Sequence, residues 1–168
     1  LTAYGGGVYI GHSPSATLYN NWVESNLVVN DGAASGYGGG GYFYDTHAYL
    51  ASNHITNNWG NPNSFGSGGG LGFSSSYIQM EDTTILYNTA SGATNGYGGG
   101  IASTMSVMTM TRNIIYANQA TPSGTGYGGG LYISSANLTS YNNVIEDNTA
   151  GTNIGSHGGA MEVYSSII

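Results

Sequence analysis

Apolar residues alternate with other residues in short segments that recur along the chain at a fixed interval. One segment carries an apolar column, broken only by Gly41, at Val8, Leu71, Ile101, Leu131 and Met161. Two residues later stands a second column, broken only by Ser103, at Ile10, Phe43, Phe73, Ile133 and Val163. A further segment aligns Ala48, Ile78, Met108 and Leu138, followed two residues later by Leu50, Met80 and Met110. Alternation with a period of two predicts short β-strands that bury one face.

A third recurring segment has the form apolar-x-x-Asn and comes before a polar turn region. It reads V-E-S-N at 23–26, I-T-N-N at 55–58, I-L-Y-N at 85–88, I-Y-A-N at 115–118 and I-E-D-N at 145–148. The turn regions that follow are rich in Gly, Ser, Thr and Asn, as in TASGATNG at 89–96. No window has the periodicity of a helix, so the pattern predicts three short strands per repeat.

Triplets of small residues set the length of the repeat. They begin at intervals of 33 residues once and 30 residues four times, at Gly5, Gly38, Gly68, Gly98, Gly128 and Gly158. A fixed interval of this length predicts stacked supersecondary units rather than a linker. We therefore predict a single β-solenoid over residues 1–168, with a glycine corner in each coil. Repeats begin near residues 4, 37, 67, 97 and 127, and a partial repeat covers 157–168.

Charged residues are rare, and their balance excludes two classes of partner. The 168 residues include one basic residue, Arg112, and eight acids, which gives a formal net charge of −7. Nucleic acids and anionic membranes are bound through Lys and Arg, so neither is expected as a partner. The chain has no cysteine, which excludes disulfides and thiolate metal sites. No apolar run approaches the length of about 20 residues that spans a bilayer, so no membrane insertion is predicted.

Stacking of equivalent residues predicts specific contacts between coils. Equivalent residues in neighbouring coils of a solenoid lie about 4.8 Å apart, so like charges in one column repel each other. Asp82 and Arg112 share a column in adjacent coils, which predicts an ion pair, and His12 over Asp45 is a second candidate. A structural Asn ladder is predicted at Asn26, Asn58, Asn88, Asn118 and Asn148. Asn tolerates the left-handed conformation of sharp turns, and stacked Asn side chains can hydrogen-bond from coil to coil.

The alternation of GG-x-apolar with apolar-x-x-Asn resembles the GGAI and FxxN repeats of polymorphic outer-membrane proteins. The resemblance extends from Tyr4 to Ile168, although the triplet here is mostly GGG and Ile or Val replaces Phe. It implies a right-handed parallel β-helix of the kind found in autotransporter passengers and adhesins. The fold prediction is therefore all-β: a right-handed parallel β-helix (β-solenoid) with about 30 residues and three short strands per coil, over about 5.5 coils.

Candidate catalytic and metal-binding groups are sparse, and we predict that the protein is not an enzyme. Many right-handed β-helices cleave polysaccharides, with an Arg or Lys base in the lyases and convergent carboxylates in the hydrolases. Here Arg112 is the only base of that kind, and the acids of the pairs 81–82 and 146–147 alternate between strand faces. The four histidines fall in four different columns, so no metal site is predicted. We predict no catalytic residues, no metal and no cofactor.

Tyrosines form the one candidate contact surface. Tyr9, Tyr42 and Tyr132 stand one place after the first inward residue of a strand and are expected to point outward. Exposed rings can stack on sugar rings or on a neighbouring solenoid. In the alternative interpretation the tyrosines stack on one another and close the glycine corner, together with the set that precedes the triplets at Tyr4, Tyr37, Tyr97 and Tyr127.

Neither end of the chain carries a polar capping segment, and the chain starts at Leu1 without an initiator Met or a signal segment. Open strand edges favour pairing with another chain, so partners are expected to be other copies of the protein or further repeats of a longer chain, stacked head to tail. We predict a non-enzymatic, extracellular or cell-surface building block of a fibre, sheath or adhesive stalk. The alternative is a β-helix that binds or cleaves carbohydrate, with surface glycans as partners.

Overall fold

A computed structural model describes all residues from 1 to 168 and contains only β-structure, in 23 short strands. Every strand pair is parallel and joins residues of neighbouring coils, as where Ile85 pairs with Ile55 on one side and Ile115 on the other. The prediction of an all-β parallel solenoid with coils of about 30 residues is confirmed.

Two of the five sheets, A and B, flank the glycine corner. Sheet A leads into the triplets and contains β1 (Thr2–Tyr4), β5 (Ser35–Tyr37), β10 (Gly66–Ser67), β15 (Gly96–Tyr97) and β19 (Gly126–Tyr127). Sheet B follows the triplets and contains β2 (Val8–Gly11), β6 (Gly41–Tyr44), β11 (Leu71–Ser74), β16 (Ile101–Thr104), β20 (Leu131–Ser134) and β23 (Met161–Tyr164).

The remaining three sheets, C, D and E, complete each coil. Sheet C contains β3 (Ala16–Tyr19), β7 (His47–Ala51), β12 (Tyr77–Glu81), β17 (Val107–Thr111) and β21 (Asn137–Tyr141). Sheet D contains β4 (Trp22–Glu24), β8 (His54–Thr56), β13 (Thr84–Leu86), β18 (Ile114–Tyr116) and β22 (Val144–Glu146). Sheet E has two strands, β9 (Trp59–Asn61) and β14 (Thr89–Ser91).

The number of strands per coil is larger than the predicted three. The second coil has five, β5 to β9, because sheets A and E add strands that carry no hydrophobic alternation. These strands consist of Gly, Ser, Ala, Thr, Asn and aromatic residues in runs of two or three, so only their backbone pairing defines them. Sheets B, C and D are the three that the alternation predicts.

The core is a single column of apolar side chains from the inner faces of sheets B, C and D. Eighteen buried residues form it, including Phe43, Ile55, Met80, Met110 and Ile115. The rings of Phe43 and Phe73, in adjacent coils, lie 5.4 Å apart. The core therefore continues from coil to coil without interruption.

Sharp turns between the sheets depend on residues with positive φ. The first glycine of each triplet provides this conformation at the corner between sheets A and B, as at Gly38, where φ is 67°. A Cβ atom on Gly38 would collide with the carbonyl oxygen of Gly41, so no other residue fits this corner without rearrangement. The other corners use non-glycine residues, as at Asp45, Asp82 and Tyr87.

Candidate functional site

The Asn ladder is a continuous chain of buried side-chain hydrogen bonds along the solenoid. Asn88 donates its backbone N–H and its Nδ2 to Oδ1 of Asn118, at 3.0 and 2.9 Å. Asn58 donates to Asn88 in the same way, at 2.9 and 3.0 Å. In every member after Asn26, Nδ2 also donates to a backbone carbonyl one coil away, as from Asn88 to Ile55 at 2.9 Å. Asn26 and Asn148 are the outer members of the ladder.

The expectation that these Asn residues adopt the left-handed conformation is wrong. Positive φ belongs to the residue before each of them: Ser25, Asn57, Tyr87, Ala117 and Asp147. This preceding residue turns the chain, and the Asn side chain then points inward to the ladder. The buried hydrogen bonds, rather than tolerance of positive φ, account for Asn at these positions.

Two more polar ladders were missed in the sequence. In one of them, the backbone N–H of each residue donates to the side-chain oxygen of the equivalent residue in the next coil. Its members are Asn21, Asn53, Thr83, Asn113 and Asn143. The other runs through Thr46, Ser76 and Ser106: the backbone N–H of Thr46 donates to the Ser76 hydroxyl, and that of Ser76 donates to the Ser106 hydroxyl. The first lies five residues before each member of the Asn ladder, so the same 30-residue alignment contains the signal for it.

Arg112 is engaged in an ion-pair cluster on the solenoid surface. Its Nε and Nη2 donate to the two carboxylate oxygens of Asp82 at 2.8 and 2.7 Å, and Nη2 also donates to Glu81 at 3.3 Å. The hydrogen bonds and charge of Arg112 hold the pKa of Asp82 below its ordinary value. Asp82 in turn raises the pKa of Arg112. Tyr49 donates its hydroxyl to Glu81, which raises the pKa of that phenol.

His12 and Asp45 form the second contact suggested by column alignment. Nδ1 of His12 lies 2.9 Å from Oδ2 of Asp45, and the His12 and Tyr44 rings lie 5.0 Å apart and perpendicular to each other. Both side chains are exposed. No group of three or more His, Asp or Glu side chains is arranged to hold a metal ion.

The three tyrosines of the predicted contact face do not form one exposed surface. Tyr9 is 52% exposed, whereas Tyr42 is 9% exposed, so the expectation that Tyr42 is an exposed ring is wrong. Its ring lies over Gly72 of the next coil, where an added Cβ would come within 2.6 Å of Cδ2. The ring of Tyr4 covers it at 4.8 Å. Tyr132 is half-buried, with its ring against Tyr97 at 4.8 Å.

Aromatic rings instead form a continuous column beside the glycine corner, which we call the aromatic column. Its ring centroids are separated in turn by 5.3, 5.7, 5.4, 4.8 and 5.5 Å, in the order Tyr4, Tyr37, Phe65, Tyr97, Tyr127 and His157. In the sequence alignment Ser67 takes the place of a tyrosine at one position of this column, and Ser67 has no ring. Phe65 lies two residues earlier in the chain and fills that gap with its ring.

The outer face of sheet C holds an open groove of about 360 Å³. Its lining includes the outward residues His47, Tyr49, Tyr77 and Gln79. The groove combines aromatic ring faces with hydrogen-bonding groups and contains no charged side chain of Asp, Glu, Lys or Arg. The structure contains no helix with the length and hydropathy needed to cross a membrane.

The fold and its internal ladders define a parallel β-solenoid in which side chains as well as backbone groups bond from coil to coil. The model of the right-handed β-helix family matches residues 2–168, and the chain belongs to this family. Comparisons with curated proteins and with solved structures found no significant match. The family includes enzymes and binding proteins as well as structural ones, so membership fixes the fold and not the function.

Proposed function

We propose that this chain is a non-enzymatic structural segment of an extracellular fibre, sheath or adhesive stalk. The Asn ladder is the observation that carries the proposal. The amides of Asn58, Asn88 and Asn118 each bond to the coil before and to the coil after, so buried polar side chains connect the coils along the axis. A further coil with the same motif, from the same chain or another copy, would extend the ladder in the same geometry.

The aromatic column supports the same role at the surface. Its six rings form five contacts between neighbouring coils, and each aromatic pair adds about 0.5–1.5 kcal/mol beyond the apolar area buried. The ring order follows the order of the coils, with Phe65 filling the place of Ser67 and His157 ending the column. The Asn ladder in the interior and the aromatic column at the surface therefore both connect neighbouring coils along the solenoid axis.

The state of Arg112 favours a structural role over a lyase activity. A catalytic base must lose its proton, whereas Arg112 is bonded to Asp82 and Glu81, which stabilise its charged form. The resemblance to repeats of polymorphic outer-membrane proteins supports a location at the cell surface. In such a setting, stability would derive from the solenoid itself, since the chain has no cysteine for disulfides.

Electron microscopy of the native material, combined with labelling of intact cells by a membrane-impermeant reagent, tests this proposal. We expect labelled rods or filaments that give fibre diffraction at about 4.7–4.8 Å along their axis. In the control sample, the cells are lysed first and the same reagent is then added. Compact, closed particles that are labelled only after lysis would contradict the proposal.

The groove on sheet C favours a second candidate function, the binding of a surface glycan. Tyr77 is 59% exposed and, beside His47 and Gln79, offers a ring face with hydrogen-bonding neighbours. A glycan-binding screen with Tyr77→Ala tests this candidate, and Tyr164→Ala, at an exposed tyrosine outside the groove, is the control. Binding that is lost in Tyr77→Ala alone supports it. No binding, or equal binding by both variants, excludes this groove.

A further inference from the structure

The tyrosines near the glycine corner form two separate clusters. The first cluster contains Tyr4, Tyr9, Tyr37 and Tyr42, with ring centroids between 4.8 and 6.2 Å apart. The second cluster contains Tyr97, Tyr127 and Tyr132, in which Tyr97 lies 4.8 Å from each of the other two rings. Each cluster therefore brings phenols from different coils into contact.

Phe65 separates the two clusters. Its ring lies 5.7 Å from that of Tyr37 and 5.4 Å from that of Tyr97. A phenylalanine ring packs like a tyrosine ring but has no hydroxyl, so it cannot form a phenoxyl radical. Radical transfer and coupling between neighbouring phenols therefore stop at Phe65, although the packing of rings continues through it.

We infer that the two clusters are sites of oxidative tyrosine coupling, in which dityrosine bonds link one coil to the next. The oxidant is hydrogen peroxide acting through a peroxidase, a class of reactant found outside cells. The inference rests on the extracellular role proposed above. In a chain without cysteine, such bonds would provide the covalent links between distant chain segments that disulfides provide elsewhere.

Coupling of two phenols is a two-electron oxidation. Each of two tyrosines loses one electron and one proton from its phenol to give a phenoxyl radical. The two radicals form a carbon–carbon bond between ring carbons ortho to the oxygens, and each displaced ring hydrogen moves to its own oxygen to restore a phenol. The two electrons and two protons removed reduce one hydrogen peroxide to two water molecules. The product has two hydrogen atoms fewer than the starting protein.

The backbone register places Tyr97 and Tyr127 suitably for this bond. The two residues are paired in sheet A and therefore lie about one strand spacing, 4.8 Å, apart. Their rings are stacked with an angle of 12° between the planes. Rotation about χ2 turns stacked rings edge to edge, which brings the ortho carbons of the two phenols closer together. Tyr4 and Tyr37 are paired in the same way in the first cluster.

Both clusters contain tyrosines with solvent-exposed ring surface, where oxidation by a peroxidase can begin. Tyr4 and Tyr9 are 46% and 52% exposed, and the three tyrosines of the second cluster are half-buried. A radical that forms on an exposed ring can be transferred to a neighbouring ring in contact with it before the two phenols couple. Coupling within one molecule is then favoured over coupling between molecules at low protein concentration, because the partner phenol is already in place.

The experiment treats dilute purified protein with peroxidase and hydrogen peroxide, then measures dityrosine fluorescence, intact mass and linked peptides. We expect a monomer that has lost two hydrogen atoms per link, with Tyr97 joined to Tyr127 or Tyr132 and with links inside the first cluster. Tyr97→Phe keeps the ring and should abolish every link in the second cluster. Tyr164→Phe, at an exposed tyrosine in neither cluster, should leave all links unchanged.

Phe65→Tyr provides a gain-of-function variant. It should create new links from residue 65 to Tyr37 or Tyr97 and so connect the two clusters. The absence of dityrosine in the monomer, or links confined to pairs of molecules, would overturn the inference. Unchanged second-cluster links in Tyr97→Phe would also overturn it. Because this assay uses isolated protein, its outcome is independent of the labelling experiment that tests the extracellular location.

Discussion

Single buried amides form hydrogen bonds from one coil to the next. Asn88 is fully buried, yet its Oδ1 accepts two hydrogen bonds from Asn58 and its Nδ2 donates to Ile55 and Asn118. A buried polar group without partners destabilises a protein by about 1–3 kcal/mol. The ladder avoids this penalty at Asn58, Asn88 and Asn118, because each of these side chains is bonded to an Asn in both neighbouring coils.

Replacing Asn88 by Ala should therefore lower the free energy of unfolding by about 2–4 kcal/mol, since the N–H of Asn58 and the carbonyl of Ile55 lose their partner. Urea denaturation followed by circular dichroism measures the change. Asn95→Ala is the matched control, because Asn95 is exposed and its side chain lies outside the ladder. A difference between the two variants below about 0.5 kcal/mol would show that the ladder contributes little.

The strands of sheets B, C and D are marked by alternating apolar residues, whereas those of sheets A and E form only through the stacking of coils. The inward columns of sheets B, C and D appear directly in the sequence, because apolar residues recur at every second position and every thirtieth. Sheets A and E lack this signal, and their pairing follows only from the stacking of the coils. The register and the ion pair of Arg112 follow from column alignment. The burial of Tyr42 does not, since it depends on a ring folding over Gly72 in another coil.

In strand β16 the inward column of apolar residues is broken by a polar residue, Ser103. It is fully buried next to Phe73 and Ile133 in its column, and its hydroxyl has no hydrogen-bond partner. Removing an unpaired buried hydroxyl without changing the volume of the site should stabilise the fold. We expect Ser103→Ala to raise the free energy of unfolding by about 1 kcal/mol.

Ser106→Ala is the control for this prediction, in the same coil and equally buried. The Ser106 hydroxyl donates to Thr104 at 2.9 Å and accepts the backbone N–H of Ser76 at 3.1 Å. Its removal should lower the free energy of unfolding by about 1–2 kcal/mol. The two serine variants should thus change stability in opposite directions in the same urea titration. Loss of stability in both would contradict the assignment of Ser103 as unpaired.

The molecule as a whole combines a strong excess of acids with a high content of tyrosine. It carries a net charge of −7 and 15 tyrosines, several of them packed against one another. Burial raises the pKa of Tyr37, Tyr42 and Tyr97 above the ordinary value of 10.0, and the neighbouring phenols add to the effect. The folded state therefore holds these protons more tightly than the unfolded chain does.

This difference predicts loss of stability at alkaline pH. Below pH 10 the phenols are protonated in both states, so their contribution is fully present. As the pH rises through 10 the unfolded chain releases these protons first, and the free energy of unfolding should fall until the folded phenols ionise as well. Urea denaturation at a series of pH values, with phenolate absorbance recorded in the folded and unfolded protein, measures both quantities.

Two comparisons separate burial of the phenols from general charge repulsion. Added salt screens repulsion between surface charges, so it should restore only part of the stability lost above pH 10. Tyr42→Phe removes the most buried of these phenols and should make the alkaline decline shallower, whereas Tyr164→Phe should leave it unchanged. Folded and unfolded protein that titrate their phenols together at pH 10, or a decline abolished by salt, would contradict the role of the buried tyrosines.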